Sequence, residues 1–101
     1  MSIALGSCRP TAEASFDSAE PAARNAAIVE AAAKQDRSAI PDLVRMLESD
    51  DPATRLLAIQ TLTRLTGNDL GYDARDSRVV RSEAVERWRA WVEAEGLGKS
   101  R

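Results

Sequence analysis

The chain contains no histidine and a single cysteine, Cys8. Without imidazole there is no Ser/His or Cys/His nucleophile pair and no histidine metal ligand, and one thiol cannot close an internal disulfide. No cofactor, metal site or catalytic residue is expected. Aromatic residues make up only 4% of the chain, and no uncharged apolar run approaches the ~18 residues of a membrane-spanning helix. An excess of either charge is also lacking: 14 basic residues face 16 acidic ones, for a net charge of −2. Nucleic acid and anionic membranes both select a basic face, so neither is an expected partner. At 101 residues the chain has room for one domain with a modest core. No segment alternates apolar and polar residues long enough to read as a strand, so the expected class is all-α.

What the chain does have is an internal echo. Glu20-Pro21-Ala22-Ala23-Arg24-Asn25-Ala26-Ala27-Ile28 returns as Asp51-Pro52-Ala53-Thr54-Arg55-Leu56-Leu57-Ala58-Ile59, an offset of 52 − 21 = 31 residues. A weaker copy at Arg81-Ser82-Glu83-Ala84-Val85 follows Arg55 after 81 − 55 = 26 residues. Self-similarity at such a period marks a solenoid, whose units bury their apolar faces by stacking on neighbours.

About four helices are legible. The first runs from about Glu20 to Lys34, with Pro21 near its first turn and an apolar stripe of Ala27, Ile28 and Ala31. Ser38 is expected to cap a second, with Ile40, Leu43, Val44 and Leu47 inward, ending near Ser49. Asp51 caps a third, Pro52 opens it, Gly67 ends it, and Ala58, Ile59, Leu62 and Leu65 face the core. After a loop over 68–78, a fourth carries Val80, Ala84, Val85, Trp88, Trp91 and Val92 before Gly96.

Ile40-Pro41-Asp42-Leu43-Val44-Arg45-Met46-Leu47, then Asp50-Asp51-Pro52, then Arg55 and Ala58, resembles a HEAT repeat: two antiparallel helices with an aspartate in the turn and an arginine early in the second. The first helix resembles the second half of a preceding repeat whose first half is absent. Leu65 to Asp73, with Trp88-Arg89-Ala90-Trp91, resembles the closing segment of some bacterial HEAT-repeat proteins. The resemblance is good over residues 20–67 and loose over the last helix. It implies a short α-solenoid of antiparallel helix pairs over residues 18–96, between tails at 1–17 and 97–101, acting as a non-catalytic protein-interaction scaffold. The chain departs from the pattern in size, because about three repeats are normally needed for stability. The alternatives are a nucleic-acid-binding helical repeat module, or an accessory or lyase-like subunit built on HEAT repeats.

The resemblance implies that Arg24, Arg55 and Arg81 occupy structural repeat positions, paired with turn aspartates such as Asp50 and Asp51 or with carbonyls. Asn68, Asp69 and Asp73 lack the spacing of an EF-hand loop and read as a turn. Trp88 and Trp91 share a face with Ala84 and read as core anchors. Opposite the core, Gln60, Thr63 and Arg64 on the third helix correspond to Glu86, Arg89 and Ala90 on the fourth, a polar strip expected to bind a partner. On the first helix the same positions are Val29, Ala32 and Ala33, an apolar face expected to be covered by the tail, a second copy or another protein.

Met1-Ser2-Ile3-Ala4-Leu5-Gly6-Ser7-Cys8 resembles the end of a bacterial lipoprotein signal, with Cys8 at the lipidation position, but too few residues precede it for an export signal. Two readings stay open: the true start lies upstream and the protein is lipid-anchored in the cell envelope, or the match is accidental and the protein is cytoplasmic.

Overall fold

The computed structural model describes residues 13–97; Cys8 and the Met1–Cys8 resemblance lie outside them. Four α-helices follow one another, α1 (Pro21–Lys34), α2 (Ile40–Met46), α3 (Pro52–Thr66) and α4 (Arg78–Ala94), and there is no strand among the described residues. A 3-10 turn at Arg37–Ala39 leads into α2. The described residues are therefore all-α. α3 packs against both α1 and α2, and α2 packs in turn against α4.

Local chemistry sets the boundaries. Proline lies in the first turn of α1, α2 and α3, where its missing N–H has no intrahelical partner to lose. Asp51 caps α3 through the Thr54 N–H at 3.2 Å, and Gly67 ends it at φ 78°, a left-handed conformation that glycine adopts without strain. Ser77 caps α4 through the Val80 N–H at 3.3 Å.

Two expectations are corrected at α2. No side chain caps α2 itself; the 3-10 turn that leads into it is capped by Asp36, which accepts from the Ser38 N–H at 3.0 Å, while Ser38 lies inside that turn and turns its hydroxyl back to the same carboxylate. Carboxylate and hydroxyl are both good caps, and the one placed two residues before the first free N–H takes the role. The helix also stops at Met46, because Leu47, Glu48 and Ser49 close three-residue turns instead of continuing the four-residue ladder. Arg37 reaches across to donate to the Leu65 carbonyl at 2.6 Å, satisfying one of the free carbonyls in the last turn of α3.

The core is one cluster drawn from every helix. Ile28, Ile40, Leu43, Leu47, Ala58, Leu62 and Trp88 are completely buried. Trp88 packs edge-to-face on Trp91, with ring centroids 5.6 Å apart, and its indole N–H donates to the Asp69 carbonyl at 3.0 Å. The loop between α3 and α4 is thus fastened from beneath. Tyr72 adds a second anchor: its ring is buried and its hydroxyl donates to the Leu47 carbonyl at 2.7 Å, at the end of α2. Burial pushes the Tyr72 phenol above its ordinary pKa. The packed body begins before residue 18, since Phe16 lies against the core and Asp17 pairs with Arg45 at 3.2 Å.

Polar side chains join α1 to α3. Thr54 is fully buried, and its Oγ1 lies 2.7 Å from Asp51 Oδ2 and 2.6 Å from the Asn25 side-chain amide. A hydroxyl has one proton, and the Thr54 hydroxyl faces two acceptors with it, the Asp51 carboxylate and Asn25 Oδ1, so one side chain ties the cap of α3 to α1. The Thr54 hydroxyl, aided by its backbone N–H, holds the Asp51 carboxyl below its ordinary pKa.

Two predictions follow from these bonds. Tyr72→Phe leaves the Leu47 carbonyl without the phenol and lowers stability by about 1–3 kcal/mol in urea unfolding, with the helical signal retained. A carboxylate with a depressed native pKa stabilises the fold above its unfolded value near 3.8, and that contribution disappears as pH falls through the native value. Asp51→Asn keeps a good cap but carries no titrating group, so its stability is expected to fall less steeply below about pH 3.8 than that of the parent.

Candidate functional site

Counted from their caps, three helices are written in one register. The caps are Glu20, Asp51 and Ser77. Four residues on stand Arg24, Arg55 and Arg81; seven on, Ala27, Ala58 and Ala84; eight on, Ile28, Ile59 and Val85. The alanines and β-branched residues are all buried. The change of offset from 31 to 26 therefore falls in the connections and leaves the helix register intact.

Each of the three arginines folds back to bond the segment before its own helix. Arg24 donates to the Ser18 carbonyl at 2.9 Å, Arg55 to the Ser49 carbonyl at 2.9 Å, and Arg81 to the Asp76 carbonyl at 2.6 Å. Arg55, 9% exposed, also reaches the Ala74 carbonyl at 3.4 Å and so touches both loops that flank α3. The expected aspartate partners are otherwise engaged: Asp51 caps α3, and Asp50 lies 3.4 Å from Arg78. A planar guanidinium with several fixed donors suits several carbonyls better than one carboxylate.

The loop after α3 spends its polar side chains on its own backbone. Asn68 accepts from the Leu70 N–H and Asp69 from the Gly71 N–H, both at 2.8 Å, and Asp73 accepts from the Arg75 N–H at 2.9 Å. The Arg75 guanidinium, with its backbone N–H, holds the Asp73 carboxyl below its usual range. Among the described residues no group of three or more His, Cys, Asp or Glu could hold a metal ion. Gly71 has φ 81°, and a Cβ there would meet the Arg87 guanidinium at 2.8 Å; that guanidinium donates to the Leu70 carbonyl, also at 2.8 Å. The loop is a built support for α3.

The polar strip expected across two helices is divided. Gln60, Thr63 and Arg64 share one wall of an open groove of about 1040 Å3 between α3 and the following loop, with Leu56, Ile59, Tyr72 and Ala74 as its apolar lining. Glu86 and Arg89 belong elsewhere, because α4 packs on α2: Arg89 pairs with Glu86 and with Glu48 beyond the end of α2, and it edges a hollow of about 520 Å3 with Pro41, Val44, Arg45 and Val92. Equal offsets in sequence implied a shared face; the packing partner of α4 breaks it.

Val29, Ala32 and Ala33 line a smaller hollow of about 360 Å3 between α1 and α3, and Gln60 and Arg64 edge this one as well. These two side chains thus form a ridge between two depressions. Leu56 is 47% exposed on one side of the ridge and Val29 55% exposed on the other, two of the few large apolar side chains left in solvent. Sequence reasoning passed over Leu56; its spacing of four from Gln60 and eight from Arg64, in a row away from buried Ala58, was the available signal.

No protein-family model, curated protein or solved structure matches this chain.

Arg55→Ala is expected to lower stability by about 1.5–3 kcal/mol, since it deprives two loop carbonyls of a charged donor. Arg89→Ala, which removes an ion pair 49% exposed on each side, is expected to change it by about 0–1 kcal/mol in the same denaturant titration.

Proposed function

We propose that this chain is a small HEAT-type helical module that binds another protein and performs no chemistry itself, with its binding surface along α3. The observation that carries this reading is the groove between α3 and the loop after it, where exposed Leu56 stands beside Gln60 and Arg64. Neither the Gln60 nor the Arg64 side chain bonds to any other group among the described residues. A groove with a contiguous apolar lining rimmed by free polar groups has the composition of a protein-binding patch. The repeated Arg, Ala and β-branched register supports the HEAT reading, in which second helices face the ligand. On that reading α3 is one of the second helices.

The distribution of cations favours protein over nucleic acid as the partner. Almost every lysine and arginine in the described part is paired with a carboxylate or turned onto a carbonyl, which leaves no basic stripe to follow a phosphate backbone. Among the described residues, no helix is long and apolar enough to cross a membrane.

The test is retention of proteins from native lysate, treated with nuclease, on three immobilised forms: the parent, a Gln60→Glu/Arg64→Glu variant and an Arg89→Glu variant. The expected outcome is a specific protein held by the parent and by Arg89→Glu and lost from the double variant, with all three forms folded by circular dichroism. Loss only from Arg89→Glu would move the site to the α2–α4 hollow, and retention of nothing by the parent would count against a binding module altogether.

A further inference from the structure

The chemistry of the α3 groove narrows what can occupy it. Among the described residues, Arg64 is the one cation without a partner: Arg24, Arg37, Arg55, Arg81 and Arg87 donate to carbonyls, and the remaining lysine and arginines pair with acids. The two acids in the groove wall do not neutralise it, since Asp69 accepts from Gly71 and Asp73 holds Arg75. Thr63 spends its hydroxyl proton on the Ile59 carbonyl at 2.8 Å. The side-chain groups left to a ligand on this wall are an amide and a guanidinium.

Their order along the helix is informative. Leu56, Gln60 and Arg64 recur every four residues, so an aliphatic group, an amide and a cation form one row on the outer face of α3. Eight residues of helix rise about 12 Å, and four residues of extended chain cover about 13 Å. An amide in the middle of the row can pair with a ligand's backbone where that backbone's own N–H and C=O groups are free, which an extended segment provides and the middle of a helix does not. In an extended segment, side chains four residues apart point the same way.

We infer that the α3 groove accepts an extended segment of another protein carrying an aliphatic side chain and, four residues away, an aspartate or glutamate. The aliphatic group rests on Leu56 and the apolar wall of Ile59 and Ala74, Gln60 bonds the intervening backbone, and Arg64 takes the carboxylate in a charge-assisted pair. This inference rests on the interaction-module reading above. The α2–α4 hollow is the weaker candidate for such a ligand, because both of its arginines are already held by acids: Arg45 by Asp42 and Asp17, and Arg89 by Glu48 and Glu86.

The experiment is selection of phage-displayed random twelve-residue peptides on the immobilised, full-length protein, in parallel with Arg64→Glu. The expected result is enrichment of Leu, Ile or Val four positions from Asp or Glu on the parent, and replacement of the acid by Lys or Arg on Arg64→Glu. The best parent peptide, synthesised with its acid changed to the amide, is expected to bind roughly ten-fold more weakly or worse, the loss of one charged hydrogen bond. Three results overturn the inference: enriched peptides without an acid, enrichment unchanged by Arg64→Glu, or peptides whose binding is abolished by Arg89→Glu instead. In all three the module still binds peptides, so its general role survives. Enrichment of nothing on the folded parent overturns both.

Discussion

A guanidinium leaves water only when its donors find acceptors, and this constraint organises the fold. Arg55 is nearly buried, and the carbonyls it reaches lie in the loops before and after α3. Those loops must come to the arginine, and once there they fix where α3 enters and where the chain turns toward α4. Arg24 and Arg81 do the same for the segments entering α1 and α4. The hydrophobic core packs helices whose entry points these bonds hold. Alanine at the seventh helical position allows close approach, and isoleucine or valine at the eighth fills the space beside it.

Much of this was legible in the residues. Gly67 and the Asp51-Pro52 pair mark the ends of α3 because cap chemistry is local and depends on a few neighbouring atoms. The stripes of α1 and α3 were visible because period 3.6 survives in a single sequence. Ser38 misled because a serine and an aspartate two residues apart are both competent caps, and geometry alone chooses between them. The end of α2 was lost for a related reason: nothing in Leu47-Glu48-Ser49 forbids another turn of helix, and the chain leaves it to meet Asp51 and Arg55.

The candidate site was half legible. Gln60, Thr63 and Arg64 sit on one helix, so their common face follows from helical spacing. Extending that face to Glu86 and Arg89 required knowing which helix α4 packs against, a tertiary fact that no spacing within the chain encodes. Leu56 escaped notice because a single exposed leucine is ordinary on any surface. It gains meaning only beside Tyr72 and Ala74, which the loop brings to it from sixteen and eighteen residues away.

The shared helix register has a bearing on how such a molecule can change in length. Each arginine binds the stretch five or six residues before it, so the unit that carries its own alignment is a single loop with the helix that follows. The spacing between units is free to differ, as the offsets of 31 and 26 already do. A change of length confined to a connection upstream of these stretches leaves each arginine's bond to the chain just before its own helix in place, so the position of a helix start is decoupled from the distance to the previous one.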